Sequence, residues 1–229
     1  MGNDAQTKVC QVKMHDGKPC GREIFKKPSF FADTCVFHLG GNSHFKKEEF
    51  DEQLKSYIAQ VETDDRLEAY DFRRFVFPDG TKFIRKMFSK QAIFYEALFE
   101  GSVRFISTTF KEEANFGYTR FKYSHFQGVD FHAPASFAGA EFADNAIFSS
   151  SEAPELEKTR FRKEVFFGSN FLQGAFFSGV SFEGDACFRG AKFKQGGKFA
   201  PAEWPDGKSG RTIHNISFLK TVDFTGANF

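Results

Sequence analysis

Three of the four cysteines, Cys10, Cys20 and Cys35, lie near the start of the chain, and His38 follows the last of them by three positions. Thiolate and imidazole are the donors zinc favours, and four of them complete a tetrahedron. The set Cys10, Cys20, Cys35 and His38 therefore reads as a structural Zn2+ site. With all four positions filled by protein, nothing remains open for a catalytic water. The Cys35-x-x-His38 end has an ordinary knuckle spacing. The gap from Cys10 to Cys20 is wide, but Asp16-Gly17 offers a turn that would fold it into a hairpin. His15 is an alternative donor. A segment of about 30 residues has too little core to fold unaided, which is where a metal clip is commonly used.

Behind this cluster the residues 43–68 place Phe45, Phe50, Leu54, Tyr57, Ile58 and Val61 at mostly three- to five-residue intervals, with charges between. That spacing predicts an amphipathic helix with Asn42 or Ser43 as its N-cap, its apolar stripe covering the end of a neighbouring core. From about residue 70 a different rhythm takes over. Phe94, Phe99, Phe105, Phe110, Phe116, Phe121, Phe126, Phe131, Phe137, Phe142 and Phe148 follow one another at steps of five or six, and Phe72, Phe77, Phe83 and Phe88 extend the ladder backwards. The residue two before each rung from Phe94 onwards is Ala, Val, Thr or Ser. Strand alternation puts that small residue and the Phe on one side, and the remaining residues turn a corner, often with Gly two after the rung. Four such sides close a square coil, which stacks Phe94 near Phe116 and Phe105 near Phe126. Burying one Phe contributes roughly 1.5–3 kcal/mol. Ordering five residues of backbone opposes it by about 5–10 kcal/mol, so single coils are unstable and neighbours must stack.

In this ladder the chain resembles the pentapeptide-repeat family, whose units centre on Leu or Phe with a small residue two before it. The resemblance implies an all-β fold, a right-handed quadrilateral β-helix. About 26 units would give six to seven coils and, at a strand spacing of ~4.8 Å, a rod about 30 Å long. The N-terminal cluster is similar to the short Cys-x9-Cys…Cys-x2-His zinc motifs found at the ends of many proteins. The expected organisation is a flexible N-terminus at 1–8, a zinc-binding module at 9–39, a capping helix and linker at 40–69, and the repeat at 70–229. Insertions interrupt it at 149–158 and 200–215. Around Phe166 and Phe167 either ring could be the inward one.

Function is expected where the rhythm fails. The second insertion holds Trp204, the only Trp in the chain, with Lys208, Arg211 and His214, a candidate interaction site. Cys187, His125 and His132 fall on outward positions and read as bystanders on a solvated face. No nucleophile elbow, phosphate-cradling loop or paired carboxylates stand out, so no enzyme is expected. The first expectation is a protein–protein interaction scaffold whose partner the residues do not name. Some relatives in the family mimic DNA and bind type II topoisomerases, which needs a strongly negative rod. From Lys90 to Phe229 there are 16 Lys plus Arg and 16 Asp plus Glu, so that role is disfavoured. A formal net charge of +1 likewise argues against nucleic acid as partner. No apolar run approaches the roughly 20 residues of a membrane span. The N-terminus also lacks a signal-peptide core, giving a cytoplasmic expectation. The repeat runs to Phe229, which suggests a homodimer through the C-terminal coil or the cytosolic N-terminal part of a longer, membrane-attached protein.

Overall fold

The computed structural model describes residues 9–14, 17–22, 26–27, 30–31, 34–40, 46–149, 158–205 and 211–229. The N-terminal residues 1–8, the alternative donor His15, the N-cap candidates Asn42 and Ser43, and Phe45 lie outside them. So do 150–157 and 206–210, the middles of the two insertions.

From Ala69 onwards the chain is a parallel β-solenoid of about six turns, with about 22 residues per turn and a Phe about every five. Short strands stack in register, so that Ala114 lies between Ala92 and Ala135, and Phe121 between Phe99 and Phe142. The walls are three parallel sheets. Seven strands form side 1 and six form side 4, while one sheet of ten spans sides 2 and 3. It spans both because Leu98–Ile106 and Arg120–Gln127 run through the intervening corner as continuous strands.

The inward phenylalanines stack into four columns, one per side, with successive rings 4.5–5.3 Å apart. Side 1 carries Phe72, Phe94, Phe116, Phe137, Phe167, Phe188 and Phe224. Side 3 carries Phe83, Phe105, Phe126, Phe148, Phe177 and Phe199. Rings of these two opposite sides meet edge to face across the axis, for example Phe116 and Phe126 at 5.6 Å. Edge-to-face contact sets the positive ring edge on a negative face, so the aromatic axis is filled without a repulsive sandwich. The small partners are buried too, from Ala92 to Ala146. Where they are Thr or Ser, several hydroxyls donate to the coil before: Thr119 Oγ1 to Phe94 O at 2.6 Å, and Ser169 Oγ to Phe137 O at 2.6 Å. Phe167 is the inward ring of its pair. Val165 two before it is buried with it, while Phe166 is 45% exposed.

Most described corners after sides 1 and 3 place a left-handed residue two beyond the rung; the four-residue step from Phe167 to Phe171 does without one. Gly139 and Gly190 supply it after side 1 and Gly128 after side 3, but Arg74, Glu96, Tyr118, Arg85 and Ser107 take the same positive φ without being glycine.

Both insertions leave at one corner, between sides 3 and 4: one after Phe148 and before Phe161, the other after Phe199 and before Phe218. Thr159 pins the root of the first, donating from Oγ1 to Ser149 O at 2.6 Å and Phe126 O at 2.8 Å. The second contains an antiparallel hairpin of Ala202–Pro205 with Arg211–His214.

The one α-helix among the described residues, α1 (Lys47–Thr63), lies over the first coil and buries Phe50, Leu54, Ile58 and Val61. Phe50 meets Phe77 edge to face at 5.6 Å, and Tyr57 meets Phe72 at 5.8 Å. The helix begins after Lys46, in extended conformation and without a side-chain cap, rather than at Asn42 or Ser43. The first coil departs from the small-residue rule where the helix covers it. Tyr70 and Phe75 occupy the positions two before Phe72 and Phe77, and both are fully buried.

Candidate metal centre

Two short pieces of backbone bring the four donors together. The first is a hairpin arm, closed by Cys10 N to Arg22 O at 2.7 Å, Cys20 N to Val12 O at 2.8 Å and Met14 N to Lys18 O at 2.7 Å. Gly17 turns it at a φ of 77°, which a side chain would resist. Pairing across this arm sets Cys10 opposite Arg22 and Cys20 opposite Val12, so the two cysteines come within two positions of each other across the arm despite the nine residues between them. The second piece is a 3-10 turn, Val36–His38, entered from extended Cys35. His38 N donates to Cys35 O at 3.0 Å, and this tight turn carries Nδ1 back to 3.3 Å from Cys35 Sγ.

The donor atoms of Cys10, Cys20, Cys35 and His38 all lie within 4.8 Å of one another, close enough to bind one metal ion. Tetrahedral bonds of about 2.3 Å to sulfur and about 2.0 Å to nitrogen would separate two sulfurs by about 3.8 Å and a sulfur from a nitrogen by about 3.5 Å. Here Cys20 Sγ and Cys35 Sγ are 3.8 Å apart, and Cys10 Sγ lies 3.4 Å from His38 Nδ1. All cysteines are free thiols. The residues present thus fit a tetrahedral ion. His38 Nε2 points away from the sulfurs and is buried with no hydrogen-bond partner among the described residues.

Arg22 anchors the cluster to the rod. Its guanidinium donates to Cys20 Sγ at 3.2 Å and to Asp71 O at 3.3 Å, and lies 4.9 Å above the Phe75 ring and 5.1 Å above Tyr57. The hydrogen bond from Cys35 draws the Cys20 thiol down to about 3 against the opposing effect of burial, and His38 and Arg22 add to the pull. Cys35, the donor of that bond and itself buried, is pushed up. Cys20 is thus the readiest thiolate, and an ion entering the cluster would displace the proton held by Cys35. Beside the cluster, Phe37 stacks on Phe75 at 4.3 Å, so the metal-binding turn sits directly on the end of the aromatic core.

The other candidates are placed as follows. Trp204 pairs with Thr212 in the inserted hairpin, Arg211 with Pro205 and His214 with Ala202; Lys208 lies outside the described residues. These residues share an element and are remote in sequence and in coil from the metal cluster. Cys187, His125 and His132 take outward positions, with His125 bonded to Gln127 at 3.1 Å and His132 to Asp130 at 3.1 Å. Arg22 was not among the sequence candidates. A lone Arg two residues after a Cys carries no spacing signal, and its role depends on the distant rings of Tyr57 and Phe75.

Compared with protein-family models, with curated proteins and with solved structures, the chain matches none.

Proposed function

We propose that this chain is a non-enzymatic protein–protein interaction scaffold, a β-solenoid closed at its N-terminal end by a helix and a structural Zn2+ site. The single observation carrying the metal assignment is the approach of three sulfurs and one ring nitrogen to within 4.8 Å of one another. Soft thiolate donors select zinc over magnesium or calcium, and a fully protein-filled set favours a structural over a catalytic ion. Cys10, Cys20, Cys35 and His38 would hold the ion, and the hairpin arm would then be locked to the 3-10 turn that stacks on Phe75. The axis of the rod is packed with rings, which leaves its outer sides and its two insertions for recognition. Both insertions root at one corner, two coils apart, which supports a shared display surface on that side of the rod. The balanced charge of the rod supports a protein partner over nucleic acid.

Metal analysis of the purified chain is expected to give close to one zinc per chain, and Cys20→Ala is expected to lose the metal and to lower the melting temperature of the N-terminal region. Less than half an equivalent, with Cys20→Ala unchanged in stability, would overturn the zinc reading. For the scaffold, affinity capture with the full chain is compared with a form lacking 200–215. Loss of a stoichiometric partner on deletion supports it, and turnover of a substrate by the purified chain would sink it.

A further inference from the structure

Between α1 and side 3 of the first coil runs a groove of about 620 Å³. Its floor is apolar, with Leu54 and Ile58 from the helix and Phe83 and the exposed Ile84 from the coil. Lys55 and Lys82 also line it, without charge partners among the described residues, whereas Lys47 and Lys86 are held by Asp51 and Glu62. One wall is a strand edge. Thr81–Lys82 pairs on one side only, with Val103 and Arg104 of the next coil.

In a parallel ladder a residue turns both its N–H and its C=O to one neighbour, and the next residue turns both to the other. Phe83 donates to Arg104 O and Arg85 to Ile106 O, each at 2.8 Å. The alternating Lys82 and Ile84 therefore direct their backbone groups away from the rod, toward the groove, where no backbone partner for them exists among the described residues. Unpaired strand edges are templates for another strand. A lipid tail or small apolar ligand would cover these groups and leave them unsatisfied, which is unfavourable.

We infer that this groove accepts an extended segment of a partner polypeptide as an added parallel strand, with apolar side chains on Phe83 and acidic ones toward Lys55 and Lys82. The mode is the one by which each coil already receives the coil before it, and it is a known form of peptide recognition. The site stands at the foot of the corner from which both insertions emerge, so one partner could engage both. The inference rests on the scaffold reading, because it supplies that scaffold with a recognition site.

The test uses the full, zinc-loaded chain and a fluorescein-labelled hexapeptide, Asp-Val-Asp-Val-Asp-Val, followed by anisotropy. Saturable binding is expected, at least tenfold tighter than for the Lys-Val counterpart. Methylating the backbone nitrogens of one alternating set should abolish binding, while methylating the other set should be tolerated, a signature that charge attraction alone would not give. The double variant Lys55→Glu/Lys82→Glu, with unchanged zinc content and circular dichroism, should weaken the acidic peptide at least tenfold. Equal binding of acidic and basic peptides, no saturable binding of either, or tolerance of both methylations would overturn the inference. If a partner captured by the full chain is retained by the double variant while the peptides fail, the groove falls and the scaffold stands. If the acidic peptide binds with the expected signature but no partner is captured, the groove stands and the scaffold reading falls.

Discussion

Arg22 shows how much one side chain can join. Three thiolates around a divalent ion leave a net charge of −1 in a half-buried place, and the guanidinium beside Cys20 balances it while its flat face rests on Phe75 and Tyr57. Groups of this kind around a metal typically change affinity by about 10–100-fold. Arg22→Met should therefore weaken binding of the proposed zinc ion by at least about tenfold in competition with a chromogenic chelator. Arg22→Lys should recover only part of that loss, because an ammonium lacks the fork that reaches Cys20 and Asp71 together. Corner residues give a second pair of expectations, of opposite sign. Ser107 sits at a φ of 51° where Gly128 occupies the next coil. Ser107→Gly removes a left-handed strain of about 1–2 kcal/mol at an entropic cost of about 0.5–1 kcal/mol, a net gain of about 0–1.5 kcal/mol. Gly139→Ala, at a φ of 69° and with its new Cβ 2.8 Å from Tyr118 Cε1, should instead lose at least about 1 kcal/mol. Urea midpoints of the two variants, moving in opposite directions, would check the corner geometry.

Among the elements, α1 depends on the rod as much as the rod depends on it. Its last turn leaves carbonyls without intrahelical partners. Lys90, from the second coil, donates to Val61 O at 2.8 Å, Asp64 O at 3.0 Å and Leu67 O at 2.8 Å, placing a cation at the negative end of the helix. Lys90→Met should lower stability by about 2 kcal/mol, the range for charged hydrogen bonds, and the loss should be local. Amide exchange is expected to speed up in 47–67 and to stay unchanged beyond residue 160; uniform acceleration along the chain would refute the latch. Much of this element was legible in the sequence, since Phe50, Leu54, Ile58 and Val61 mark its buried stripe at helical spacing. The coils were legible for the same reason, a small residue and a Phe sharing one side of a strand. Lys90 was not, because the groups it caps lie more than twenty residues away and backbone carbonyls leave no trace in residue type. Nor were Tyr70 and Phe75 recognisable as fillers of small-residue positions, as their burial follows from the helix placed over them. The metal donors were readable as residue types, and the Cys10–Cys20 approach followed from the turn at Gly17. Their common placement on Phe75 was not, because it depends on tertiary stacking.

The molecule as a whole is quasi-one-dimensional, so its cohesion depends on what crosses between coils. Backbone pairing and ring stacking cross everywhere, but the first insertion lengthens the covalent connection between Ser149 and Thr159, and side 4 has a charged bridge there. Arg162 forks onto Asp130 of the coil before it, at 2.8 Å to each oxygen, and reaches Glu183 of the coil after it at 3.9 Å. Burial pushes Asp130 up, but the Arg162 hydrogen bonds and the charges of Arg162, His132 and Arg160 outweigh it, so its carboxyl titrates below the usual carboxylate range. A depressed acid stabilises the folded chain fully above the unfolded carboxylate pKa, near 4, and that contribution disappears as pH falls through the lower folded value. Stability should therefore hold from neutral pH down to about 5 and then decline as pH falls below about 4. Asp130→Asn should lower the urea midpoint at pH 7 by the equivalent of about 1 kcal/mol, a figure reduced because Arg162 is partly exposed. The same variant should show a shallower acid decline than the parent chain. An acid profile identical in the two proteins would mean that the bridge contributes nothing, leaving stacked rings and strand pairing alone to hold the coils together across the insertion.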